Sequence, residues 1–348
     1  MTENKRTIGI SAVLILVLFL VFGFFYQKQQ KQNQQPISAT SFKLNTMVKV
    51  TIYDSQNQEL LNQVMEVCDK YENLFSRTKT SSEIYQLNHG TLPQKDGAFL
   101  LSPETAELVQ EGLRFSQLSN GAFDLSIEPV SSLWDFTSEE KVIPDQQELR
   151  KALPLVDYKN IELKDNLLTW KHPGMGLDLG AIAKGYIADR MKDFLVSKGI
   201  KSAIINLGGN VLCIGESPEG RPFQVGIQKP FSERGESLLS LEITDQSVVS
   251  SGIYERYFEK DGVLYHHILN SKTGYPYEND LLSVSIISDR SVDGDGLSTT
   301  CFSLGLEKGM ELIDSLEDVE AIFITKDETV HYSKDFEQKI KVTSLSLP

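Results

Sequence analysis

Between Phe223 and Leu269 the chain passes through four β-rich runs, Phe223 to Ile227, Leu238 to Ile243, Tyr254 to Phe258 and Val263 to Leu269, with no helical period between them. Strands that follow one another without crossover helices pair antiparallel. A doubly wound parallel sheet is thereby excluded. Gly208-Gly209, after the apolar run Ser202 to Leu207, do not restore one, because GxGxxG spacing and a following helix are both missing. Helical periods fall elsewhere. The expected class is α+β: mixed, largely antiparallel sheets with helices packed on them.

One such period is Leu60, Val64, Val67, Cys68, Tyr71, Leu74 and Phe75, an amphipathic stripe with Cys68 on its buried side. Another follows Ser102-Pro103-Glu104, a helix start with Ser102 as cap and Pro103 in the first turn, running to about Leu118. The three cysteines, Cys68, Cys213 and Cys301, lie far apart without CxxC spacing, so they read as core residues rather than a zinc site or a disulfide framework. A net charge of −14 with no basic cluster argues against nucleic acid as a partner.

The N-terminus sets the compartment. After Lys5-Arg6 the chain is uncharged from Thr7 to Gln27 and apolar from Ile10 to Tyr26, long enough to span a bilayer and lacking a small-x-small cleavage site. The expected organisation is a short cytoplasmic N-terminus (1–7), a signal-anchor or transmembrane helix (8–26), a flexible Gln-rich tether (27–40) and one extracytoplasmic domain (41–348). A cleaved export signal leads to the same compartment.

Within that domain, Leu177-Asp178-Leu179-Gly180-Ala181-Ile182-Ala183-Lys184-Gly185 reads as a strand end from Gly176 to Leu179, a turn, and a helix with the stripe Ile187, Met191, Phe194 and Leu195. A helix opening there aims unpaired amides and a positive dipole end at whatever lies above the sheet. Lys184 in its first turn opposes that dipole, which is explained by a bound anion such as phosphate. The alternative is a lysine that reaches water beside an Asp178 cap.

Ser119 to Pro129 reads as a turn into an acid-containing strand. The pair His266-His267, two of the five histidines, sits on an expected strand, so their side chains face opposite ways. Asp293-Gly294-Asp295 opens like a calcium loop, but Leu304 stands where the bidentate Glu is required. A helix from about Asp295 fits better, and it stacks Asp295 and Thr299 one turn apart. Hard oxygen ligands of this kind suit magnesium; a plain Asp helix cap is the competing reading.

Taken in order, these pieces resemble the ApbE family, the FAD:protein FMN transferases, from about Ser41 onward. The resemblance rests on Gly121-Ala122-Phe123-Asp124 with Pro129 and Leu133-Trp134, on Asp178 to Gly185, and on Asn206-Leu207-Gly208-Gly209-Asn210. It continues in Ser251-Gly252-Ile253-Tyr254, His267-Ile268-Leu269-Asn270 with Thr273-Gly274, and Asp295-Gly296-Leu297-Ser298-Thr299. Each fragment is short; six in order are specific.

The resemblance implies FAD as substrate, contacted by Ala122, Phe123, Asp124, Asp178, Lys184 and Ile268, with the isoalloxazine pocket near Leu44. It implies Mg2+ held by the Ala181 carbonyl, Asp295 and Thr299. The implied reaction moves the FMN half of FAD to a Thr or Ser hydroxyl of an extracytoplasmic acceptor protein, such as an electron-transfer subunit, and leaves AMP. His267 or a carboxylate takes the hydroxyl proton, so His267 and Asp295 are the expected catalytic residues. The chain departs from the family in Leu44-Asn45-Thr46, where members carry Met-Gly-Thr, in Asn270-Ser271 for Asp-Pro, and in Gly296 for Ala. Two alternatives use the same residues: a magnesium-dependent FAD pyrophosphatase, and a membrane-anchored FAD-binding protein without turnover.

Overall fold

The structure, a computed structural model, describes residues 35–233 and 235–344. The expected anchor and most of the tether lie outside the described residues, among which no helix is long and apolar enough to cross a membrane.

An eight-stranded sheet organises the fold: β1 (Ile37–Lys43), β2 (Thr46–Ile52), β3 (Ser202–Leu207), β4 (Asn210–Gly215), β5 (Ser247–Gly252), β6 (Leu281–Ser288), β7 (Val319–Thr325) and β8 (Val330–Tyr332). Spatial order equals chain order, and every neighbouring pair is antiparallel. The α+β expectation therefore holds, with most of the remaining elements inserted between consecutive strands and two short ones, Phe336–Lys339 and Val342–Ser344, after the last. Smaller sheets form from Phe223–Gln228, Ser237–Ile243 and Val342–Ser344, from the hairpin Tyr257–Lys260 with Val263–His266, and from short strands between Gln94 and Trp170.

Helices α1 (Gln58–Phe75), α2 (Pro103–Leu118), α3 (Ala183–Ser197) and α4 (Ser291–Leu304) pack against the sheet or against each other. The first two begin on their own caps: Asn57 Oδ1 accepts from the Glu59 amide at 3.1 Å, and Ser102 Oγ from the Thr105 amide at 3.2 Å. Cys68, Cys213 and Cys301 are buried and unbridged, and burial pushes each thiol up to about 12. They are core residues, as their spacing suggests.

Several expectations need correction. The first strand among the described residues begins at Ile37, inside the expected tether, and Phe42 to Tyr53 is not one strand. Leu44 and Asn45, both with φ near 54°, make a two-residue turn that joins β1 to β2. The turn is held on α1, where Glu72 Oε1 accepts from the Leu44 amide at 2.7 Å.

Gly176 to Leu179 forms no strand. Asn88 does a strand's work there: its side chain accepts from the Leu177 amide at 2.8 Å and donates to the Leu177 carbonyl at 2.9 Å. Nor is Ser119 to Pro129 a strand. Hydroxyls of Ser119 and Ser116 accept from the Phe123 and Leu125 amides, so side chains replace a ladder. Tyr254 to Phe258 is a turn followed by a strand that starts at Tyr257, and the strand after Val263 stops at His266.

Candidate active site

Helices α3 and α4 start side by side, and neither has a side-chain cap of its own. Each is capped by the other. Asp295 on α4 accepts from the Gly185 amide of α3 at 2.5 Å through Oδ2. Asp189 on α3 accepts from the Ser291 and Val292 amides of α4 at 2.7 and 3.0 Å, one through each oxygen. A carboxylate at a helix N-terminus satisfies free amides and the dipole together.

The crossing is close because Gly185 has no side chain: a Cβ there would lie 2.2 Å from the Ser291 carbonyl oxygen. Asn210, the first residue of β4, braces the junction. Its Nδ2 donates to Asp295 Oδ1 at 3.2 Å, and its Oδ1 accepts from Ser291 Oγ at 2.9 Å.

The helix-end amide expected to meet a bound anion is thus taken by the chain's own Asp295 carboxylate. Asp178 does not cap α3; its Oδ1 accepts from the Gly180 amide at 2.9 Å, while Oδ2 takes Ser131 Oγ at 2.8 Å and pairs with Arg77 Nε at 3.2 Å.

Because the Gly185 amide goes to Asp295, it is not available to the Ala181 carbonyl four residues earlier, and among the described residues no other donor reaches that carbonyl. Asp295 is buried, and desolvation raises its carboxyl pKa, opposed by the Lys184 charge and by hydrogen bonds from Gly185 and Asn210. Thr299, one turn along α4, has its hydroxyl 3.2 Å from Ser251 Oγ at the end of β5. A free carbonyl, a carboxylate with spare lone pairs and a hydroxyl form an all-oxygen donor set, and these donors fit a hard divalent cation.

Two cations remain, of which Lys184 acts on Asp295. Lys184 is half-buried and Arg256 exposed, and among the described residues neither has an ion-pair partner. Both act on His267, whose Nδ1 lies 3.3 Å from the Arg256 carbonyl oxygen. Burial of the ring, then the Arg256 charge, push its pKa down to about 3. His267 is therefore neutral at neutral pH.

Its neighbour His266 has a different task. It is buried, its Nε2 lies 3.0 Å from the Tyr277 carbonyl oxygen, and its Nδ1 accepts from the Ile268 amide at 3.3 Å. Burial lowers it to about 4. Because the strand ends at His266, His267 is turned by a bend rather than by strand alternation.

Expected nucleotide contacts form a second group. The Tyr277 hydroxyl donates to the Ala122 carbonyl at 2.9 Å, the Tyr277 amide donates to the Ile268 carbonyl at 2.9 Å, and the Asp178 amide donates to the Leu125 carbonyl at 2.9 Å. This joins the 121–125 turn, the 268–277 loop and the approach to α3.

Phe123 is buried against Phe115, and the Ser119 hydroxyl engages both its amide and its carbonyl, at 2.9 and 3.2 Å. Asp124 is already engaged: Oδ1 takes the Ser126 amide and hydroxyl at 2.9 and 2.6 Å, and Oδ2 takes the Tyr158 amide at 3.1 Å. Burial still raises its pKa. No hydrogen bond ties Leu44 to either group. Asn210, Ser251, Asp189, Arg77 and Arg256 are the residues that sequence reasoning missed. Asn210 and Ser251 stood inside quoted motifs; the others act only through tertiary contacts.

The α+β fold, with oxygen donors, two cations and a histidine brought to the helix starts and loops between consecutive antiparallel strands, is that of a known class of transferases. The profile of the ApbE family matches residues 44–323, and the chain belongs to that family. It is 39% identical over 280 residues to the FAD:protein FMN transferase of Klebsiella pneumoniae (strain 342), covering 79% of this chain and 85% of that protein. It is 31% identical over 326 residues to the FAD:protein FMN transferase of Treponema pallidum (strain Nichols), covering 88% and 89%. Among solved structures, the flavin transferase ApbE from Vibrio cholerae aligns with a TM-score of 0.78 at 25% identity, over 87% of this chain and 99% of that one. The ApbE protein from Thermotoga maritima MSB8 gives 0.78 at 28% identity, over 87% and 99%.

Proposed function

We propose that this enzyme, a flavin transferase, uses the paired starts of α3 and α4 to transfer the FMN moiety of FAD to a Thr or Ser hydroxyl of an acceptor protein, with release of AMP. The observation that carries the reading is the Ala181 carbonyl, left free beside a buried Asp295 and an unpaired Lys184. Ala181, Asp295 and Thr299 would hold magnesium, which supplies charge neutralisation on the pyrophosphate oxygens.

The chain's own groups account for the rest. Lys184, without an ion-pair partner among the described residues, would stabilise charge developing on the AMP phosphate. His267, neutral at working pH, accepts the acceptor hydroxyl proton, and a bound polyanion beside Arg256 and Lys184 raises its basicity from the low value set by those cations. The acceptor oxygen bonds to the FMN phosphorus as the P–O bond to AMP breaks, and AMP leaves with the electron pair. Asp178 and the backbone of Ala122 to Asp124 line the approach for the nucleotide.

The same reading places the domain outside the cytoplasm on a single N-terminal span at 8–26, supported by the uncharged apolar run of the sequence. The acceptor is then an extracytoplasmic protein.

The test is to incubate the full chain in detergent with FAD, magnesium and a candidate acceptor, and to follow AMP, free FMN and acceptor mass. The reading expects AMP matched by an FMN-sized mass gain on the acceptor. AMP matched by free FMN makes the enzyme a pyrophosphatase instead, and intact FAD contradicts both.

A further inference from the structure

The proposed metal donors come from two segments. Ala181 lies in the turn that leads into α3, and Asp295 and Thr299 belong to α4. Their mutual distances therefore depend on how the helix starts are held together. Asp295 is one half of that tie and Asp189 is the other. Asp189 is buried one turn along α3 from Gly185, the point of closest approach. Both its oxygens are given to the first turn of α4, the turn immediately before Asp295.

The remaining supports of that turn are weaker in kind. Ser291 Oγ bonds Asn210 and Ser247, both at 2.9 Å, while Arg290 pairs with the exposed network of Glu111 and Asp293. Neither contact fixes the α4 amides against α3.

We propose that Asp189 is a positioning residue for the metal site: by holding the Ser291 and Val292 amides it sets the register of α4 on α3, and so the placement of Asp295 and Thr299 relative to the Ala181 carbonyl. The inference rests on the magnesium reading above. Asp189 touches neither metal nor substrate. Its loss acts through geometry, so it weakens magnesium binding before it slows the saturated enzyme.

The experiment uses the full-length enzyme saturated with FAD and measures magnesium affinity by calorimetry, with the magnesium dependence of FMN transfer as a second readout. Asp189→Asn keeps the side chain's shape but turns an NH2 toward one of the two amides. It is expected to raise the magnesium Kd about tenfold, while kcat at saturating magnesium stays within about threefold.

Glu320→Gln is the control, because Glu320 is buried beside Ser333 and Lys339 and its carboxylate bonds those two residues rather than either helix. It is expected to lower Tm and leave the magnesium Kd unchanged. Should Asp189→Asn fail to fold, Val292→Pro removes one of the two amides at a position where helices accept proline, and a rise of about threefold is expected.

Wild-type magnesium affinity in Asp189→Asn overturns the inference, as does an equal affinity loss in Glu320→Gln. A wild-type enzyme that binds no magnesium overturns the metal reading itself, and the inference with it.

Discussion

Where α3 meets α4, Asp295 gives one oxygen to an amide of another helix and one to Asn210, and feels the charge of Lys184. In the turn after α2, the oxygens of Asp124 receive three hydrogen bonds, two of them from Ser126, two residues away. Both acids are buried, and both lie in segments that the family resemblance marks. The difference is how much accepting capacity each retains. A carboxylate that closes its own turn is architecture, whereas one that bridges two helices and is only partly engaged remains able to bind a ligand.

The same contrast separates the adjacent histidines. His266 has both ring nitrogens engaged by backbone, and His267 is set beside two unpaired cations.

The severest way to break the contrast is at the helix crossing. Gly185→Ala puts a methyl group 2.2 Å from a backbone oxygen, so α3 and α4 must separate. Overpacking of this kind costs about 3 kcal/mol, and the account expects a Tm fall of several degrees together with near-complete loss of transfer. Thermal melts and single-turnover transfer check both.

The histidine pair is sharpened by pH. His266 sits near 4 in the folded chain against 6.5 unfolded, so between those values the unfolded state binds more protons and stability falls as pH falls. From pH 7 to 4 this group removes about 3 kcal/mol. Asp189, pushed up to about 6 by burial, works in the opposite sense, so the comparison is wild type against His266→Gln. Denaturant titrations should show a flatter acid limb in the variant.

A smaller effect is expected at Asp124. Asp124→Ala leaves the Ser126 and Tyr158 amides without their acceptor and costs about 2 kcal/mol. With the carboxylate engaged by the chain, the KM for FAD should stay within about threefold. A larger rise would return Asp124 to the ligand contacts.

Local signals were legible in the chain and tertiary ones were not. The stripe from Leu60 to Phe75, the Ser102-Pro103 start and the run Ser202 to Leu207 all appear where their patterns place them, because caps and periodicity act within a few residues. The strand Leu281–Ser288 is buried at every position, so it shows no alternation to read. Gly176 to Leu179 has a strand's composition, but its partner is the single side chain of Asn88, and no pattern announces that.

Of the site, Asp295 and Thr299 share α4 as their spacing suggests, and Asp295 meets the first turn of α3 beside Lys184. The reciprocal caps escaped because Asp189 and Ser291 are 102 residues apart, and nothing local distinguishes a cap for a distant helix from a surface acid. Arg256 escaped for the same reason.

Asp295→Asn is the most direct test, since the carboxamide oxygen can still cap α3 while the charge that would hold magnesium is gone. With the full chain, FAD, a flavinylatable acceptor and a magnesium series, the account predicts a loss of FMN transfer of roughly a hundredfold or more at all magnesium concentrations, with Tm near wild type. An Asp295→Asn enzyme that flavinylates the acceptor at the wild-type rate, with the wild-type dependence on magnesium, would contradict it.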